Sequence, residues 1–268
     1  MDALGDDLRW SEAFPSLART GQDRKLRRLL EEAEALHRSA AGRLRGLGWE
    51  DLARQAEQFA AWTRFDLDEP VMARRLYGVV RDLREIPQHG AFLARALEGA
   101  LDLAGAELGN VQVLDRATGS LRIAVQHGFG AEFLDHFAVV DDDRSACGRA
   151  AKECAQTVIA DVNADASFAP HRDAAAAAAF RAVQSTPLVD ATGHLLGVVS
   201  THYRYPYAPP ARDLEILKRY GCLVGQMMTS HLSTPPPRRA GESPPGRRVE
   251  PGRRPASAGL RPFAERAG

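Results

Sequence analysis

The chain has 268 residues, 35 Lys+Arg against 35 Asp+Glu, 44% hydrophobic and 26% charged residues, which is ordinary for a soluble globular chain with room for one or two domains. No apolar run approaches the roughly 18 residues of a membrane span. The acidic start Met1-Asp2-Ala3-Leu4 lacks the positive region of a secretory signal, and three cysteines are too few for a disulfide framework, so a reducing cytoplasm is the expected compartment.

The neutral total hides a split. Residues 234–268 carry eight arginines against three glutamates, a net +5, and residues 1–233 carry 27 basic against 32 acidic residues, a net −5.

Along the first 87 residues the pattern is helical. Leu26, Leu29, Leu30, Ala33, Leu36, Ala40 and Leu44 step by three and four, an amphipathic stripe broken at Gly46 and Gly48. A second helix is expected over 50–64. A third runs from Val71 to Arg84, preceded by Pro70 at a first-turn position where its missing N–H costs nothing.

From His89 the pattern changes. Phe92, Leu93, Ala96, Leu97, Ala100, Leu101 and Ala104 mark another amphipathic helix. Residues 110–114 and 121–126 alternate with period two around a Gly-containing loop, a hairpin. On this spacing Val111, Val113, Ile123 and Val125 share one side of it, and Asn110, Gln112, Ala124 and Gln126 the other. Further strands are expected at 157–160, 182–189 and 195–203, the last two joined by the turn Asp190-Ala191-Thr192-Gly193. Helical pieces are expected at 131–137, 145–153 and 170–180, and a final helix at 212–231. Its apolar residues occupy two adjacent stripes, enough for a second packing surface. This order describes an α+β domain: an antiparallel sheet of about five or six strands with helices on both faces, preceded by an all-α region. Eight of the chain's 16 prolines fall after Ser233, and residues 233–268 are expected to be a disordered Pro/Arg-rich tail. The expected organisation is thus 1–87, 88–232 and 233–268.

Residues 88–232 resemble a GAF domain, the small-molecule sensor module of bacterial signalling proteins, of the kind found beside histidine kinases. The phrases that carry the resemblance begin with Gly109-Asn110-Val111-Gln112-Val113-Leu114-Asp115 and Gly119-Ser120-Leu121-Arg122-Ile123. They continue with Ser145-Ala146-Cys147-Gly148-Arg149-Ala150 and with Asp161-Val162 through Phe168-Ala169-Pro170-His171-Arg172. They end with Gln184-Ser185-Thr186-Pro187-Leu188, followed by Gly197-Val198-Val199-Ser200-Thr201.

The resemblance implies a pocket between one sheet face and the mid-domain helices. Its candidate lining is Asn110, Gln112, Gln126, Ser145, Cys147, Phe168, His171, Arg172, Ser185, Ser200 and His202. Ser145 is placed as the N-cap of a helix whose free N–H groups suit an anion, and Arg172 as a clamp for a carboxylate or phosphate; local pairing with Asp165 and Asp173 is the alternative. The sequence names no cofactor: the histidines and cysteines show no paired metal spacing, and Asp141-Asp142-Asp143 reads as a solvated loop.

The resulting expectation is a non-catalytic regulatory protein with an unidentified small-molecule ligand. Its partners would be a histidine kinase or other signalling protein, or a second copy docked through the terminal helices, with neither membrane nor nucleic acid among them. One alternative is a redox switch or GAF-type thiol enzyme using Cys147, whose place near a helix N-terminus would lower its pKa. GAF-type free-methionine-sulfoxide reductases need a further cysteine before the fourth strand, where this chain has Ala174–Ala179. The other alternative is an interaction scaffold without a ligand.

Overall fold

The computed structural model describes residues 22–233; the expected tail and the first 21 residues lie outside the described part. The chain runs α1 (Gln22–Gly46), α2 (Glu50–Asp68), α3 (Pro70–Leu83), α4 (His89–Ala104), β1 (Leu108–Asp115), β2 (Ser120–His127), α5 (Ala131–His136) and β3 (Val139–Val140). It continues through α6 (Ala146–Glu153), β4 (Thr157–Ile159), a 3₁₀ turn (Ala169–His171), α7 (Arg172–Ala177), β5 (Ala182–Val189), β6 (Leu195–Tyr203) and α8 (Ala211–Ser233). No described helix is long and apolar enough to cross a membrane.

The strands form one antiparallel sheet in the order β3-β2-β1-β6-β5-β4, with helices on both faces. On one face α3, α4 and α8 meet Val111, Leu188 and Val199 around the fully buried Tyr220, whose hydroxyl donates to the Ala96 carbonyl at 2.8 Å. On the other face α5, α6 and α7 cover Leu108, Leu121, Val183 and Val198. Burial of both faces explains why β5 and β6 are buried nearly end to end rather than alternating with solvent.

Two features differ from the sequence expectation. Val111 pairs with Val125, but Gln112 pairs with Ile123, so a bulge at Ala124 shifts the register. Ile123 therefore packs on the α5–α7 side with Leu121, not with Val111 and Val113. The segment expected as one helix over 170–180 is shorter. Ala179 turns into the left-handed region at φ 55, which ends the helix and lets Phe180 bury before β5. The two-residue β3 is too short to leave an alternation signal.

α1 and α2 pack along one another, and α2 and α3 join the rest of the chain through a buried ion pair. Arg219 on α8 donates to both carboxylate oxygens of Asp66 on α2, to the Trp62 carbonyl at 3.2 Å and to the Tyr77 hydroxyl on α3. Its guanidinium also lies 5.3 Å from the Trp62 ring centroid and 5.0 Å from that of Tyr77. Burial pushes the Asp66 carboxyl up to about 6 against the lowering effect of Arg219, so the pair is ionised at neutral pH. α8 lies close on β5 because Gly221 and Gly225 present no side chain; a Cβ at either would meet the backbone of Pro187 or Val189.

Candidate functional site

The α5–α7 face encloses a small cavity at the centre of the sheet. Strand alternation aims its polar floor: Asn110 and Gln112 come from β1, Ser185 from β5, and Ser200 and His202 from β6. The α6 N-terminus supplies Ser145, Ala146 and Cys147, and the roof is Phe133, Phe137, Phe168 and Phe180. The enclosed space is about 20 Å³, room for little more than one water.

The floor contains more polar capacity than the protein uses. The Asn110 Oδ1, both amide ends of Gln112 and the His202 Nδ1 have no hydrogen-bond partner among the described protein groups, although these residues are 3%, 0% and 4% exposed. Ser185 and Ser200 bond each other at 2.8 Å. Buried polar atoms are rarely left without partners, so this cluster is the feature of the cavity that packing alone does not explain.

His202 sits edge-on to Phe129 and Phe180, at ring distances of 5.0 and 4.7 Å. Burial pushes its pKa down to about 3, so the imidazole is neutral. The folded-state value lies below the unfolded one. As pH falls from about 6.5 towards 3 the unfolded chain therefore takes up the proton first, and the folded state loses up to about 1.4 kcal/mol per pH unit from this group. Asp66 contributes the opposite slope, because its folded-state value is raised, but it cancels when wild type and His202→Leu are compared. Denaturant unfolding between pH 4 and 6 is expected to show the variant's stability falling less steeply with acid than that of the wild type.

Ser145 caps α6, its Oγ accepting from the Gly148 N–H at 3.1 Å. Gly148 admits no side chain, since a Cβ would collide with the Asp142 carbonyl. Ser145→Ala is expected to cost about 1 kcal/mol in chemical denaturation. The Cys147 sulfur lies 3.3 Å from the same Ser145 oxygen, and burial pushes its thiol pKa up. That is the opposite of the lowering a nucleophilic thiolate requires.

Eight of the eleven residues singled out in the sequence thus line the cavity, and three lie elsewhere. Gln126 is exposed, and its Oε1 accepts from the Phe129 N–H at 3.0 Å. His171 lies behind the roof, 5.3 Å from the rings of Phe137 and Phe168, and its Nδ1 is 2.9 Å from the His136 Nε2. Arg172 donates to the Val162 and Asp165 carbonyls at 3.2 and 3.0 Å. It shares this task with Arg149, which holds the Asp165 carboxylate, and Arg181, which holds that of Asp161. The three arginines strap the 161–168 segment that carries Phe168, so these three are structural. Phe133, Phe137 and Phe180 escaped the sequence reading; the four-residue spacing of Phe129, Phe133 and Phe137 was the available signal.

The family model for the GAF domain matches residues 90–229. No curated protein matches the chain. Among solved structures, the GAF domain of a phosphoenolpyruvate-protein phosphotransferase (ptsP) from Coxiella burnetii aligns with a TM-score of 0.52 at 12% identity, over 60% of this chain and 95% of that one. The corresponding domain from Acinetobacter aligns at 0.50 and 10% identity, over 62% and 98%. A free methionine-R-sulfoxide reductase from Neisseria meningitidis, solved in complex with its substrate, aligns at 0.50 and 17% identity, over 60% and 89%. At these identities the likeness is one of fold.

Proposed function

This chain belongs to the GAF domain family, and from that membership we propose that it is a non-catalytic regulatory protein of signal transduction whose sheet-centred cavity binds a small molecule. The observation that supports this reading is the unpartnered polar floor of Asn110, Gln112 and His202, closed beneath four phenylalanines. A buried polar cluster of this kind costs stability unless something completes it.

In the proposed mechanism the cavity must widen to take its occupant, because about 20 Å³ admits no metabolite. Binding shifts the population towards a state with the α5 roof, which carries Phe133, displaced. β5 and β6 present Ser185 and Ser200 to the cavity, and their other face presents Leu188 and Val199 to the cluster that includes α8. A change in strand position is therefore felt by α8, and through Arg219 by the N-terminal helices, where a signalling partner or second copy would read it. Residues 1–87 would serve as the output region and 88–232 as the sensor.

Native mass spectrometry of the purified protein and a thermal-shift panel of metabolites test the reading. At least one compound should bind wild type and fail to shift Gln112→Met. If no compound binds and that variant leaves the signalling phenotype intact, the sensing claim fails and the chain is a ligand-free scaffold.

A further inference from the structure

The lining of the cavity carries information about its occupant. None of its side chains is charged at neutral pH: His202 is neutral, the Cys147 thiol is held protonated, and the remainder are amides, hydroxyls and apolar groups. Two arginines near the roof are committed elsewhere, Arg172 to two backbone carbonyls and Arg149 to the Asp165 carboxylate, and the exposed Arg144 is not among the lining residues. A carboxylate or phosphate in this place would be desolvated with no charged side chain to meet it; the α6 N-terminus at Ser145–Cys147 offers only N–H dipoles, and the Ser145 hydroxyl already takes the Gly148 N–H.

Gln112 offers a donor and an acceptor side by side, both without a partner among the described protein groups, and Asn110 adds a further such acceptor on the same strand face. A carboxamide edge is matched by another donor–acceptor edge, as found in a primary amide, a lactam or a nucleobase. Above this edge the walls are aromatic: Phe133, Phe137, Phe168 and Phe180 present rings, which favour a flat conjugated partner.

We infer that the site takes an uncharged aromatic or heteroaromatic molecule bearing an amide-like donor–acceptor edge, which pairs with Gln112 and Asn110 while its ring replaces the mutual packing of the phenylalanine roof. This inference rests on the reading of the cavity as a ligand site and names the class of its occupant. Selection works by exclusion as much as by attraction, since a charged analogue of the same shape meets neutral groups alone.

The test uses the full-length protein and matched probe pairs that differ in charge at nearly constant shape: nicotinamide with nicotinate, benzamide with benzoate, and pyrazinamide with pyrazinoate. Binding is read by ligand-observed NMR and calorimetry on wild type, Gln112→Met and the control Arg204→Gln, an exposed residue outside the cavity. Preference for the neutral member by tenfold or more, lost in Gln112→Met and kept in Arg204→Gln, is the expected result. Equal or tighter binding of the anionic members overturns the class and leaves the sensing reading standing. So does failure of every pair when the metabolite panel yields a ligand of other chemistry. Failure of every pair together with an empty metabolite panel and an intact signalling phenotype in Gln112→Met overturns both.

Discussion

Replacing Asp66 with alanine is expected to destabilise the protein by about 3–5 kcal/mol, the usual consequence of leaving one member of a buried ion pair without its partner. Arg219 would be stranded at 4% exposure between Trp62 and Tyr77. For a folded unit of this size the midpoint should fall on the order of 10 °C. The loss comes from desolvation rather than from missing volume, so the double variant Asp66→Leu with Arg219→Met should recover most of it. A loss below about 1 kcal/mol in Asp66→Ala, outside the range given for buried pairs, would mean that the pair is open to water and that α2 and α3 are not clamped to α8.

Gln112→Met is expected to act in the opposite direction. Gln112 is fully buried, and neither end of its amide is satisfied by the described protein groups. A near-isosteric thioether removes the desolvation cost, so the ligand-free protein should gain about 1–3 kcal/mol in denaturant unfolding. The gain should come with loss of ligand response, the exchange of stability for function expected at a binding site. A destabilised Gln112→Met would place the amide in a satisfied structural network instead.

Long periodic elements were legible in the sequence. The stripe from Leu26 to Leu44 became α1, and the alternation of 110–114 became β1 because one of its faces is apolar and the other polar. What escaped reading depends on contacts between distant segments. The bulge at Ala124 turns Ile123 to the other face, although the local pattern of β2 is regular. Arg172 looked like a clamp because its neighbours in sequence are those of a pocket. Its direction is set by the carbonyls of Val162 and Asp165, so the local pairing with Asp165 that the sequence also offered is met through the backbone, while the Asp165 carboxylate goes to Arg149. The cavity floor was readable since strand alternation places Asn110, Gln112, Ser200 and His202 on one side. Of the roof only Phe168 was read, because nothing in the spacing of Phe133, Phe137 and Phe180 says that separate segments converge above the sheet.

The most direct test of the cavity as a small-molecule site is the side-chain amide NMR signal of Gln112, followed with that of Asn110 while a small-molecule cell extract is added to the labelled protein. Both pairs of NH₂ resonances should shift together and saturate as the extract is added. Amide signals of Gln112 and Asn110 that stay fixed in every extract fraction, while the protein still responds to its signalling partner, would contradict the account.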